Sequence, residues 1–119
     1  MSQNFKPGDF LVFQLEAGYG LLRVIDVENA GDDTVWHVAG YDEFFLDVES
    51  AEAALASGVL PRPSHPHIAL TNRAFESTQV AKLTNVPLQE SDREAYDDWR
   101  VGTDRTISDR SVRLMMGLR

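Results

Sequence analysis

Three short runs rich in β-branched and aromatic residues are separated by turn residues: DFLVFQL (9–15), LLRVIDVE (21–28) and TVWHVAGY (34–41). This spacing constrains the fold more than any other feature of the chain. Pro7-Gly8 bounds the first run, and Asn29 to Asp33 make a polar turn between the second and third. Links this short leave no room for a crossover, so the runs predict an antiparallel meander over 9–41. In the third run the strand period puts Trp36 and Val38 on one face and His37 on the other.

The pattern then changes. DVESAEAALASG has good helix formers, an acidic first turn and Gly58 as a stop, which predicts a helix over 47–57. Three of the five prolines fall in 59–67, and that stretch reads as an extended, solvated surface connection. Two further strands are predicted within 67–88, at 67–75 and 79–88. The remainder, 91–119, reads as a C-terminal helical segment. There Ser91 and Glu94 have capping-box spacing for a helix to about Arg100, and a short last helix runs from Ser108 to near Gly117. The expected architecture is one α+β domain over 1–119. Its centre is an antiparallel curled sheet or SH3-like small barrel, with two or three short peripheral helices.

Glycines flank a tyrosine in Gly18-Tyr19-Gly20, which raises the question of a phosphate-cradling loop. A dinucleotide fingerprint needs a third glycine at position 23, which is Arg23, and a helix next, whereas LLRVIDVE is a strand. No Gly-Lys-Ser/Thr is present for a P-loop. The segment is the turn of a hairpin, its glycines serving positive φ or a bulge.

Of 119 residues 43% are hydrophobic, enough for a core, and there is no cysteine for a disulfide, a thiolate metal site or a nucleophile. The first residues lack a signal-peptide pattern, and no apolar run approaches membrane-spanning length, so the expectation is a cytoplasmic protein without membrane contact. Residues 1–99 hold six basic and seventeen acidic residues, a net of −11, whereas 100–119 carry a net of +3. This balance disfavours nucleic acid and suits a basic protein partner. It also predicts a basic tail, with Arg110 and Arg113 lying across the acidic body.

Candidate sites are few. His65 and His67 read as adventitious surface histidines, with no local third ligand for a metal, and His37 as a solvent-facing or partly buried polar residue. The adjacent pairs Asp32-Asp33, Asp42-Glu43 and Asp97-Asp98 diverge on either regular element and read as solubilising charge. No nucleophile elbow is present. Nothing calls for a cofactor, and the expectation is a protein that is not an enzyme.

The aromatics carry more. Phe44-Phe45-Leu46 cannot all face inward from one strand, so either a bulge turns them in or one aromatic stays exposed as a partner contact. Tyr19, at the hairpin tip, is a solvent-facing candidate anchor. With Asp42 and Glu43 these residues form the expected partner-binding set: Tyr19, Asp42, Glu43, Phe44 and Phe45. Val112, Leu114, Met115, Met116 and Leu118 should pack on the sheet or form an adaptable interface.

The stretch FKPGDFLVFQLEAGYGLLRVIDVE, through Gly8, Asp9, Gly20, Arg23 and Val24, resembles the start of a family of small bacterial immunity proteins from polymorphic-toxin systems. That resemblance implies a non-catalytic inhibitor that neutralises a toxin or effector by stoichiometric binding. GDFLVF and GYG are also similar to the Tudor-like, RNA-polymerase-interacting domain of CarD-type transcription factors, which implies a transcription accessory module. Those proteins add a basic DNA-binding domain, whereas the remainder here is acidic and short. A third reading is a small hydrolase using His37 or His65 with a carboxylate in a cleft.

Overall fold

In the computed structural model, which describes residues 4–117, the meander is formed by β1 (Asp9–Gln14), β2 (Tyr19–Ala30) and β3 (Asp33–Phe45). β4 (His65–Thr71) joins β3, and β5 (Val80–Asn85) joins the free edge of β1. The strand order is β4-β3-β2-β1-β5, with every neighbouring pair antiparallel. The protein is therefore α+β on a curled antiparallel sheet. The sheet is open, with β4 and β5 as its edges, and this corrects the barrel alternative. Part of the β4 edge is covered instead by the C-terminal segment: Ser108 N donates to Ala69 O at 2.8 Å and Thr71 N to Ser108 O at 3.0 Å. Such cover protects an edge from pairing with another chain.

Both faces of the sheet are buried. Leu11, Phe13, Leu22, Val24, Trp36 and Val38 meet α2 (Asn72–Glu76) and α4 (Val112–Met115) on the first face. Phe10, Val12, Leu21, Ile25, Ala39 and Tyr41 meet α1 (Val48–Ala56) and α3 (Glu90–Val101) on the second. Two-sided burial is the physical reason that FLVF is an unbroken apolar run rather than an alternating one.

A register shift in β2 places the polar residues. Leu22 and Val24 face the first core, and strict alternation would send Asp26 and Glu28 there too. Between Val24 and Asp26 the pairing with β3 slips by one residue, so Val24 opposes Val38 whereas Asp26 opposes His37. Val27 now packs on the first core, and Asp26 and Glu28 turn to the second face beside His37.

The β1–β2 hairpin bends over 16–18, with Tyr19 and Gly20 already paired to Gln14 and Phe13 in an unbroken register, so no bulge lies in the hairpin. The shift between Tyr19 and Leu21 belongs to the pairing of β2 with β3. Neither Gly18 nor Gly20 has positive φ. Their role is close approach: a Cβ on Gly20 would lie 2.4 Å from Phe13 Cζ.

Several boundaries differ from the expectation. β3 runs four residues past Tyr41 and so contains Phe44 and Phe45. The strand expected over 67–75 ends at Thr71, whose hydroxyl caps α2 by accepting from Ala74 N at 3.1 Å. Phe75 is thereby carried over the sheet and stacks on Trp36, with centroids 4.0 Å apart. The capping box is not Ser91–Glu94. Instead, Asp92 Oδ2 accepts from Gln89 N at 2.8 Å and Ser91 lies inside α3. The last helix is only the single turn of α4, capped by Ser111. The tail is held by Asp109, which pairs with Arg73, and by buried Val112 and Met116; Leu114 and Met115 are exposed. Leu118 lies outside the described residues.

Candidate functional site

The five expected contact residues meet at one end of the sheet. Tyr19 opens β2 and is the register partner of Phe45 near the end of β3. Strand alternation sends Phe45 to the second core, where Tyr19 also packs, so both rings are half-buried. This corrects the reading of Tyr19 as solvent-facing. Phe44 points the other way and lies over Gly18, where a Cβ would come within 2.5 Å of Phe44 Cζ. Phe44 is 48% exposed and Leu46, just beyond the strand, 76%. Of the two outcomes weighed for this run, one aromatic stays exposed. Asp42 and Glu43 are exposed on the same strand. Next in the chain, Asp47 caps α1 by accepting from Ser50 N at 2.7 Å, and the hydroxyl of Ser50, with that N–H, holds its carboxyl below the usual range.

A second cluster surrounds His37, which has no exposed surface. Its Nε2 lies 3.0 Å from Glu28 Oε1 and its Nδ1 2.9 Å from Nε2 of His67. The two imidazoles stack with centroids 5.1 Å apart, beneath Tyr96 and Trp99 of α3. Tyr96 donates its hydroxyl proton to Asp26 Oδ2 at 2.7 Å. Burial, reinforced by Asp26, pushes the Tyr96 phenol up to about 12. Burial pushes both imidazoles down, His67 to about 4, helped there by its histidine neighbour.

The reading of His37 as solvent-facing or partly buried and of His67 as a surface histidine is thus corrected. His65-Pro66-His67 opens β4 rather than ending a solvated loop, and the strand period turns His67 toward His37. An edge strand tolerates Pro66, which has no backbone donor to offer. The strand expected from 67 already puts His67 and Ala69 on one face; what the sequence alone lacks is the pairing of β4 with β3 that sets Ala69 opposite His37. Both nitrogens of His37 are engaged inside the protein, which leaves neither for an entering substrate.

The fold and these two clusters define an α+β domain on an open curled sheet, with an acidic, aromatic end and a buried histidine pair. Compared with family models, curated proteins and solved structures, the chain matches none. Among the described residues no helix is long and apolar enough to cross a membrane.

Proposed function

We propose that the protein is a non-catalytic binding module that engages a basic protein partner stoichiometrically, as an immunity-type inhibitor engages its toxin. One observation carries this reading: Phe44 and Leu46 stand exposed at the end of β3, next to the exposed carboxylates Asp42 and Glu43. Exposed aromatics supply the desolvated anchor of an interface, and surrounding charge of one sign speeds encounter with a partner of the other. The net of −11 over 1–99 adds a long-range field of the same sign. Tyr19 and Phe45 support the anchor from beneath by holding the β2 and β3 ends together.

The test is capture from the native lysate with the intact chain and with Phe44→Ala and Asp42→Lys/Glu43→Lys variants. A basic protein retained by the intact chain and lost with either variant supports the reading. An identical captured set from all three defeats it.

A further inference from the structure

On the second face of the sheet, between the proline-rich segment 60–66 and the start of α3, lies a cavity of about 570 Å³. This is within the range of small-molecule sites. Its floor is Arg23, Ile25, Ala39 and Tyr41, and the rings of Pro61, Pro63, Pro66 and Pro87 form much of its wall. Two guanidinium groups, Arg23 and Arg62, border it against one carboxylate, Asp92. That local excess of positive charge stands out in a chain of net charge −8.

Arg23 is the informative residue. Its side chain is 3% exposed, lies over the Phe10 ring at 4.7 Å, and pairs with Asp92 at 3.3 Å. Nη2 donates to Val86 O at 2.7 Å, but Nε has no acceptor among the described residues. Asp92 is shared, because its carboxylate also accepts from Gln89 N to cap α3. A buried cation with a shared counterion and an unmatched donor is costly unless something further neutralises it. Tying down residues 86–87 would require the carbonyl contacts alone, not an open cavity beside them.

We propose that this cavity binds a small monocarboxylate carried on an apolar ring. The single charge of such a ligand matches the excess of one guanidinium over Asp92, and its planar carboxylate suits a guanidinium fork. Its ring would lie on Ile25, Ala39 and the proline faces. The Tyr41 phenol, protonated at neutral pH, adds a hydroxyl donor at the floor.

The experiment is an NMR titration of the full ¹⁵N-labelled chain with sodium benzoate and, separately, with its uncharged analogue benzamide. Benzoate should bind saturably in the millimolar range that suits a ligand of this size. It should shift the Arg23 Nε–H signal together with the amides of Gln89 and Ser91. Benzamide should bind at least ten-fold more weakly. Because Arg23 variants risk misfolding, Arg62→Ala, at an exposed position, gives the second arm and should weaken benzoate several-fold. Equal binding of benzamide, unchanged affinity in Arg62→Ala, or shifts confined to surface arginines such as Arg105 and Arg110 would overturn the proposal.

Discussion

His37 Nδ1 lies 2.9 Å from His67 Nε2, and the other nitrogen of His37 faces Glu28 Oε1 at 3.0 Å. A carboxylate only accepts, so His37 Nε2–H donates to Glu28. Nδ1 is then the acceptor, and His67 Nε2–H must donate to it. One arrangement of protons therefore runs through three strands, from β4 through β3 to β2. It tolerates a proton on His67 Nδ1, which takes no part in the chain, but not protonation of both rings, since a doubly protonated pair would put two N–H groups face to face beneath Tyr96 and Trp99.

The first prediction is a loss of stability as pH falls. Burial lowers both histidines, His67 from 6.5 to about 4, so between those values the unfolded chain binds a proton that the folded chain refuses. Stability then rises with pH across this window and falls on acidification, by at most about 1.4 kcal/mol per pH unit per site. Asp9 acts in the same direction. Burial raises its carboxyl, but bonds from Asn85 and Lys6 N, with Lys82, outweigh that and hold it low. Its contribution is lost as pH falls through the carboxylate range, below the histidine window. Urea unfolding should show a shallower slope between pH 6.5 and 4.5 in His67→Gln than in the unaltered chain. Equal slopes would remove the histidine pair as the cause.

The second prediction separates neighbouring aromatics. Phe45→Ala removes a ring from the second core and should cost about 1–3 kcal/mol, less than a fully buried ring would. Phe44→Ala, at a half-exposed ring, should change stability by no more than about 1 kcal/mol while abolishing partner capture. Thermal melts of both variants check this, and a larger loss for Phe44→Ala would mean that its ring serves the fold.

Third, two side chains supply the buried apolar hold on the tail. Met116 and Val112 are 9% and 1% exposed and belong to the first core, whereas Leu114 is 69% exposed. Met116→Ala should cost about 2–4 kcal/mol in urea unfolding, and Leu114→Ser almost nothing. Deletion of 106–119 should lower Tm and also promote association through β4, whose edge Ser108 covers. Light scattering of the truncated chain at rising concentration reads the second effect.

Fourth, Gly20→Ala should be destabilising although φ is ordinary there. The added methyl would meet the Phe13 ring at 2.4 Å, inside a buried hairpin. A cost of about 1–3 kcal/mol is expected from such overpacking. Gly31→Asn, with open space around a positive-φ turn position, should be tolerated within about 1 kcal/mol. Comparable losses at the two sites would show that crowding against Phe13 is not the cause.

Legibility in the sequence tracks the range of the interactions. The meander, the helix α1, and the placement of Trp36 and Val38 opposite His37 all rest on contacts within a few residues, and all are readable there; Asp47, read as the first helical residue, is instead the cap of α1. Boundaries fail where a side chain chooses between two local uses. Thr71 suits a strand by propensity yet serves as a helix cap, because Trp36 Nε1 donates to Asn72 Oδ1 at 2.8 Å and Phe75 gains the indole to stack on. Ser91 has capping-box spacing, but Asp92 takes that role while also pairing with Arg23.

Local signals suffice for the antiparallel meander, the lack of thiol chemistry, the acidic body and a turn rather than a phosphate loop next to Gly18, because turn chemistry, strand period and charge are local properties. Tyr19 and Gly20 themselves, however, belong to β2. Tertiary structure alone decided that the sheet stays open with both faces covered. It also decided that Glu28 faces His37 and that Phe44 rather than Tyr19 is the exposed ring. Each of these depends on a one-residue shift in pairing or on an element far along the chain. A shift of one residue exchanges the faces of a strand without leaving a mark in its composition.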